Sequence, residues 1–319
     1  MAHSSTIGST PPKVVKPKLT TRIGNDLKKN GLLYIMLLPI VVFFLIFHYQ
    51  PMYGAQIAFK NFSPGLGIEG SPWIGFKHFI SFFESRHFER VVRNTLLINL
   101  KDLVFGFPAP ILLALMINEV NNRYFKKTVQ TLSYMPHFVS QVVLCGLIFE
   151  FSSLGGLFND LRSVFGLDAI AFLQKPELFQ GVYVASGIWQ GVGWGSIVYL
   201  SALTSIDQEQ YESALIDGAS KLKQVWYITL PNLLPTIMIM LILRIGQMMN
   251  IGVEKVMLLY NPLTYETADV ISTFVYRRGI LEASFSFSSA VGLFNSVINF
   301  ILLLTVNFIS KKATQTSLW

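Results

Sequence analysis

Six stretches of this chain, Leu32–His48, Thr95–Ile117, Thr131–Phe151, Gly181–Leu203, Leu233–Ile251 and Ser289–Ile309, are apolar over the length of a membrane crossing and carry very few charges. A spanning helix needs about 20 mainly apolar residues at 1.5 Å of rise each, and the six runs meet or approach that length. Interruption by Pro108 and Pro110 does not disqualify them, because neighbouring helices can satisfy the freed backbone groups. With 52% hydrophobic and 13% charged residues, and a mean hydropathy of +0.49, the 319-residue chain is too apolar for an ordinary soluble domain. The expected fold is an all-α membrane protein.

Charge sets the expected topology. Lys13, Lys16, Lys18, Arg22, Lys28 and Lys29 precede the first run, and Arg123, Lys126 and Lys127 lie between the second and third, which assigns both regions to the cytoplasm. The outer connection Pro51–Arg93 also holds Lys60, Lys77, Arg86, Arg90 and Arg93, but it is long enough for the rule to weaken. An even number of crossings returns Lys311 and Lys312 to the starting side. The expectation is six transmembrane helices with both termini cytoplasmic: a basic tail over 1–30, a membrane domain over 31–310 and a short tail over 311–319. The exit of the first run, His48-Tyr49-Gln50-Pro51, has no small-residue cleavage site, so this run is read as a retained helix. Met1–Thr21 has no apolar period and is expected to be mobile. Contact with anionic lipid headgroups accounts for the net charge of +7 without a nucleic-acid partner. The lone Cys145 falls inside the third run and can form no intramolecular disulfide.

Between the crossings there is no room for a soluble enzyme core. Pro64, Gly65, Gly67, Gly70, Pro72 and Gly75 predict a turn-rich external loop, followed by a short amphipathic helix over Phe76–Phe83. Two further external connections, Ser152–Gln180 and Gly252–Phe287, can receive something delivered from outside or can serve as solvated connectors. No His, Cys or carboxylate cluster has metal-ligand spacing, and no nucleophile has a base at hand.

One polar stretch stands apart, Glu212–Pro231, between the fourth and fifth runs. Pattern and propensity predict a helix over Gln208–Asp217, a break at Gly218, and a second short helix over Lys221–Thr229 stopped by Pro231. Tyr211, Ala214 and Leu215 share one face at i, i+3 and i+4, with Glu209, Glu212 and Asp217 largely elsewhere. The small Ala214, Gly218 and Ala219 allow another surface to approach closely. On periodicity alone this is an amphipathic inner loop.

The spacing Glu212-Ser213-Ala214, Gly218, then Ile228-Thr229-Leu230-Pro231 resembles the cytoplasmic coupling loop of binding-protein-dependent ABC importer permeases, with Ser213 in place of a middle alanine. Asn94-Thr95-Leu96, Tyr134-Met135-Pro136 and Trp73-Ile74-Gly75-Phe76 resemble recurrent segments of the same family. His48-Tyr49-Gln50-Pro51, Phe59-Lys60-Asn61-Phe62 and Pro136-His137-Phe138-Val139-Ser140 resemble a subgroup of carbohydrate permeases that handle polysaccharide-derived oligosaccharides. The resemblance implies a type I importer permease fold in the bacterial cytoplasmic membrane, with loop 205–231 gripping the ATPase through Tyr211, Glu212, Ala214, Asp217, Gly218, Ala219, Leu230 and Pro231. It implies four partners beside lipid and a carbohydrate: a second homologous permease, two ATPase subunits and an extracytoplasmic solute-binding protein. ATP and magnesium are then expected on the ATPase subunits and no cofactor on this chain, which has no Gly-x-x-x-x-Gly-Lys-Ser/Thr loop.

Candidate cargo contacts lie in the fourth and fifth runs. Gly187, Gly191 and Gly195 form a ladder suited to close helix packing, interleaved with Trp189, Gln190 and Trp194. Aromatic faces and amides suit the C–H faces and hydroxyls of sugars, and aromatics also anchor membrane interfaces. Arg244, Gln247 and Asn250 follow one stripe at i, i+3 and i+6, open to pore lining or to interhelix hydrogen bonding. Arg244 can meet an acidic solute, or Glu150 as an internal partner. Asn295 with Asn299, and Lys101 with Asp102, are read as interhelix bonding, and His137 as structural. A stand-alone carrier or an intramembrane enzyme is the competing class.

Overall fold

The computed structural model describes residues 19–314 and 317–318, with side chains over 28–312 and 317–318. The first 18 residues of the expected basic tail lie outside the described part. The chain divides into residues 1–55 and 56–319. In the first unit, α1 (Leu19–Phe44) runs through Pro39 and continues as a π-type turn over Leu45–Tyr49. Rings pack in tilted pairs along it at helical spacing, Phe43 with Phe47 at 5.2 Å and Phe44 with His48 at 4.8 Å.

The second unit is helical. It contains α2 (Lys77–Phe83), α3 (Phe88–Lys101), α4 (Pro108–Glu119), α5 (Arg123–Tyr134), α6 (Gln141–Ser152), α7 (Leu157–Val164) and α8 (Pro176–Thr204). Then come α9 (Gln208–Ile216), α10 (Lys221–Gln224), α11 (Leu230–Ile245), α12 (Val253–Leu259), α13 (Tyr265–Ala268), α14 (Ile271–Tyr276) and α15 (Phe285–Thr314). Among the described residues the extended pairing is one antiparallel bridge, Lys60 to Trp73.

Five continuous helical stretches are long and apolar enough to cross a membrane: Lys28–Phe59, Phe88–Glu119, Gln141–Val164, Lys221–Ile245 and Phe285–Lys312. The other expected crossing, Gly181–Leu203, lies within α8. Its 29 residues reach roughly 44 Å at 1.5 Å each, but its glycines, serines and glutamines make it less apolar than the other five. The expected run Thr131–Phe151 is not one helix. Pro136 cannot donate within a helix, the chain turns over Met135–Phe138, and Ser140 restarts it by accepting from the Val143 amide at 3.4 Å. Asn122 and Asp207 cap α5 and α9 in the same way, at 3.0 Å to Tyr124 and 3.0 Å to Glu209. The last helix passes the expected boundary at 310 and ends at Thr314.

Gly252–Phe287, one of the two connections open to a solvated reading, is instead part of the interior. Val256, Ala268, Val270, Ile271 and Phe274 are buried there among Ile98, Leu144, Phe179, Phe82 and Val291. Asn94 and Thr95 hold it. The Asn94 amide donates to the carbonyls of Glu266 and Asp269 at 2.9 and 3.0 Å, and the Ile271 amide donates to the Thr95 hydroxyl at 3.0 Å. Asp269 is wholly buried and ion-paired to Arg90 at 2.8 Å and Arg277 at 2.7 Å. Close helix contact falls on the expected ladder at Gly195, where a Cβ would stand 3.0 Å from Pro110 of α4, and also off it. A Cβ at Gly193 would overlap the Ser133 backbone of α5, whereas one at Gly191 would meet nothing within 4 Å.

Candidate functional site

The polar stretch folds as a hairpin closed by a glycine. The Ala219 amide reaches back to the Ala214 carbonyl at 2.9 Å and the Gly218 amide to that of Leu215 at 3.1 Å, with Gly218 at φ +74°. This is a Schellman cap, whose left-handed residue favours glycine because it lacks a Cβ. The interval from Ala214 to Gly218 is therefore fixed by hydrogen bonding. Across the hairpin, the Tyr211 and Thr229 hydroxyls share a hydrogen bond at 3.0 Å, and Asn232 donates to the Gln210 side chain at 3.1 Å. Tyr211 and Ile228 pack towards Ile111, Leu203 and Leu233, while Lys221 meets Glu119 at 3.5 Å.

Pro231 does not stop the second helix. A π-type turn over Val225–Thr229, in which the Leu230 amide reaches the Val225 carbonyl, shifts the register ahead of the proline, and Pro231 sits in the first turn of α11. Hairpin and span are thus one rod, Lys221–Ile245. Glu212, Asp217, Gly218 and Pro231 are exposed, and Ala214, Ala219 and Leu230 are half-buried. Four apolar or aromatic groups beyond the sequence reading are also bare on the hairpin: Ile216 at 87%, Tyr227 at 79%, Leu222 at 74% and Trp226 at 67% exposure.

At the far end of the rod, Arg244 pairs with Asp102 rather than with Glu150. Asp102 opens a π-type turn, Asp102–Gly106, whose closing glycine leaves room for its carboxylate where a Cβ would overlap it. Lys101 faces away and donates to the buried Gln180 at 2.8 Å, which donates in turn to the Thr267 carbonyl at 3.0 Å. Both residues of the Lys101-Asp102 pair therefore bond between helices, as expected.

Arg244, Gln247 and Asn250 converge on a cavity of about 240 Å³, lined also by Asn99, Asp102, Tyr183 and Lys255. An adjoining cavity of about 410 Å³ shares Asp102, Gly187, Arg244 and Gln247 and runs along Gly191 and Gly195. The expected run to Ile251 breaks here, because α11 ends at Ile245 and residues 246–249 turn, with the Asn250 amide donating to the Gln247 carbonyl at 2.8 Å. Asn250 also accepts from Asn295 at 2.8 Å and Asn299 at 3.0 Å and donates to Gln247 at 2.5 Å, so its carboxamide bonds between helices at the cavity edge.

The aromatic candidates are elsewhere. Trp189 lines a separate apolar cavity with Leu147, Phe151 and Phe158. Trp194 stacks on His137 at 4.5 Å with planes 2° apart, and Gln190 donates to Gln141 at 3.4 Å. The structure brings together the stripe of the fifth run and separates it from Trp189, Gln190 and Trp194.

Asn99, Tyr183 and Lys255 are cavity residues that sequence reasoning missed, and Lys255 is the charged one. It is 8% exposed, donates to the Tyr183 carbonyl at 3.0 Å, and lies 4.6 Å from that ring's centroid. Burial pushes its ammonium down to about 8. The available signal was spacing, since Ile251, Lys255 and Leu259 follow one another at i+4 and all three are buried.

The model of the family described as binding-protein-dependent transport system inner membrane component matches residues 106–315. The chain is 43% identical over 316 residues to Protein LplB of Bacillus subtilis (strain 168), covering 98% of this chain and 99% of that one. It is 42% identical over 307 residues to the polygalacturonan/rhamnogalacturonan transport system permease protein YteP of the same organism, covering 96% of each. Among solved structures, a chain of a bacterial alginate ABC transporter, in complex with alginate pentasaccharide-bound periplasmic protein, superposes with a TM-score of 0.86 at 45% identity. That match covers 93% of this chain and 100% of the other.

Proposed function

The chain belongs to the family of binding-protein-dependent transport system inner membrane components and is a multi-pass protein of the cytoplasmic membrane; on that premise we propose that it is the permease subunit of an ATP-driven importer carrying an oligosaccharide into the cytoplasm. The observation that carries this reading is similarity along the whole chain, at over 40% identity, to a permease named for polygalacturonan and rhamnogalacturonan and to one chain of an alginate transporter. In this reading α8 is a sixth crossing and both termini are cytoplasmic. A second permease stands beside the chain, a solute-binding protein docks outside, and two ATPase subunits, which bind ATP and magnesium, sit below.

The hairpin supplies the coupling. Its Schellman cap and side-chain bonds make it stiff, and exposed Glu212, Asp217, Ile216 and Leu222 give the ATPase both polar and apolar holds. Tyr211 and Leu230 anchor the hairpin to the span, Ala214, Gly218 and Ala219 keep its tip narrow, and Pro231 starts the rod's straight section. Cargo passes the cavity lined by Arg244, Gln247 and Asn250, with Trp189, Gln190 and Trp194 as candidate contacts on other faces of α8.

The test is uptake of labelled oligogalacturonate or alginate oligosaccharide by proteoliposomes holding the full complex. Import that requires ATP and the binding protein supports the reading. Import by this chain alone, without ATP, establishes a secondary carrier instead.

A further inference from the structure

The two adjoining cavities, at about 410 and 240 Å³, together fall in the range of about 300–1,000 Å³ usual for small-ligand sites. Their charges do not balance. Arg244 and Asp102 neutralise one another, and Asn99, Gln247 and Asn250 are neutral amides. Lys255 is left over, and among the described residues no carboxylate lies within ion-pair distance of it. Its partners are a backbone carbonyl and the face of a tyrosine, a dipole and a quadrupole that leave the charge uncompensated. Gly187 of α8 faces the charge, since a Cβ there would stand in ordinary contact with the ammonium nitrogen at 3.4 Å. Burying an unmatched cation among apolar helices is costly, and such residues characteristically mark substrate paths.

We propose that Lys255 binds a carboxylate of an acidic sugar unit in this cavity, making the permease selective for uronate-type oligosaccharides. The proposal rests on the oligosaccharide-permease reading. A carboxylate would supply the missing countercharge through a charge-assisted hydrogen bond to Nζ, while Asn99, Gln247 and Asn250 offer amide donors and acceptors to ring hydroxyls. Because Arg244 is already paired, Lys255 and not Arg244 reads the acid.

The experiment measures binding of a tritiated galacturonate trisaccharide, and of its carboxyl-reduced neutral counterpart, to the assembled transporter in nanodiscs without binding protein. Uptake of both by complete proteoliposomes is measured alongside, in wild type, Lys255→Met and Lys255→Arg. The expected result is a wild-type preference for the acidic trimer, lost in Lys255→Met by roughly tenfold to a hundredfold, the worth of one charge-assisted hydrogen bond. Binding of the neutral trimer changes less than about twofold on that scale, and Lys255→Arg keeps the preference. Equal weakening of both sugars assigns Lys255 a structural role and overturns the proposal, as does a wild type indifferent to the carboxylates. If the neutral trimer is imported and Lys255→Met changes nothing, the oligosaccharide reading stands while this proposal falls. If the wild-type complex imports neither sugar, the reading itself has failed.

Discussion

Removing the carboxylate of Asp269 is expected to cost more stability than any other single side-chain truncation outside the apolar core. The carboxylate is wholly buried and takes four hydrogen bonds: 2.8 Å from Arg90, 2.8 and 2.7 Å from Arg277, and 2.8 Å from Thr273. Arg90 and Arg277 are 30% and 21% exposed, so water reaches them only in part once the anion is gone. Breaking a buried pair by deleting one partner costs about 3–5 kcal/mol, mostly from the charge left behind. Asp269→Ala strands two guanidiniums, which puts it at the top of that range, whereas Arg90→Ala leaves the anion paired to Arg277 and should cost about 1–3 kcal/mol. Arg90→Ala combined with Asp269→Ala should therefore cost less than the sum of the two. The assay is denaturant unfolding of the purified complex, with hydrogen exchange at Ile271 and Thr273 as the local readout. A cost below about 1 kcal/mol for Asp269→Ala, or strict additivity in the double variant, would refute the argument from stranded charge.

A Cβ at Gly218 meets no atom within 4 Å, so the expected cost of Gly218→Val is that of the left-handed backbone, about 1–2 kcal/mol confined to the hairpin. The complex should still assemble in the membrane, and its ATP hydrolysis should no longer respond to the loaded binding protein; a normal response would show that the hairpin's shape is not used. Ile239, half-exposed in the middle of the rod, separates stiffness from packing: Ile239→Gly should lower transport per ATP hydrolysed relative to Ile239→Ala, since glycine loosens a helix interior by about 1 kcal/mol over alanine, and equal values for the two would sink the rod argument. For pH, Lys255 titrates near 8 in the fold against 10.5 free, so the unfolded chain holds the extra proton between those values. Stability from this group therefore rises with pH across that window and is lost as pH falls through about 8, visible in unfolding midpoints that Lys255→Met should flatten. Carboxylate binding, which needs the ammonium, runs the other way and weakens above about 8.

Apolar runs long enough to cross a bilayer were legible because hydropathy and helical rise are local properties, and Gly218 was legible because a Schellman cap has a local signature. Phe59-Lys60-Asn61-Phe62 and Trp73-Ile74-Gly75-Phe76 could be picked out as segments, but not as partners. Their bridge, with the Ile74 amide on the Phe59 carbonyl at 2.8 Å, needs the intervening turn. Gly252–Phe287 was illegible for a different reason. Its Gly, Asn, Pro and Thr content is that of a solvated loop, and it is buried by bonds from Asn94 that span 172 and 175 residues. The partner of Arg244 belongs to the same class. Glu150 and Asp102 are both carboxylates far from Arg244 in the chain, and only the packing of α11 against the Asp102–Gly106 turn decides between them.

The hairpin and the cavity stand at opposite ends of one helix, and this explains why the most recognisable motif says so little about cargo. The rod Lys221–Ile245 begins at a surface whose geometry is set by backbone hydrogen bonds, a glycine and small side chains, none of which can distinguish one solute from another. It ends at Arg244, where charge is set by what other elements contribute: Asp102 from its π-type turn and Lys255 from α12. A sequence can keep the first end unchanged while exchanging residues at the second, since no side chain of the hairpin lines either cavity beside Arg244. What the rod requires of its cavity end is a neutral pair that lets Arg244 sit among apolar helices, and Asp102 meets that requirement. The charge then left over, on Lys255, is unused by the fold, and it is the group on which a preference among sugars can be built without disturbing the lever.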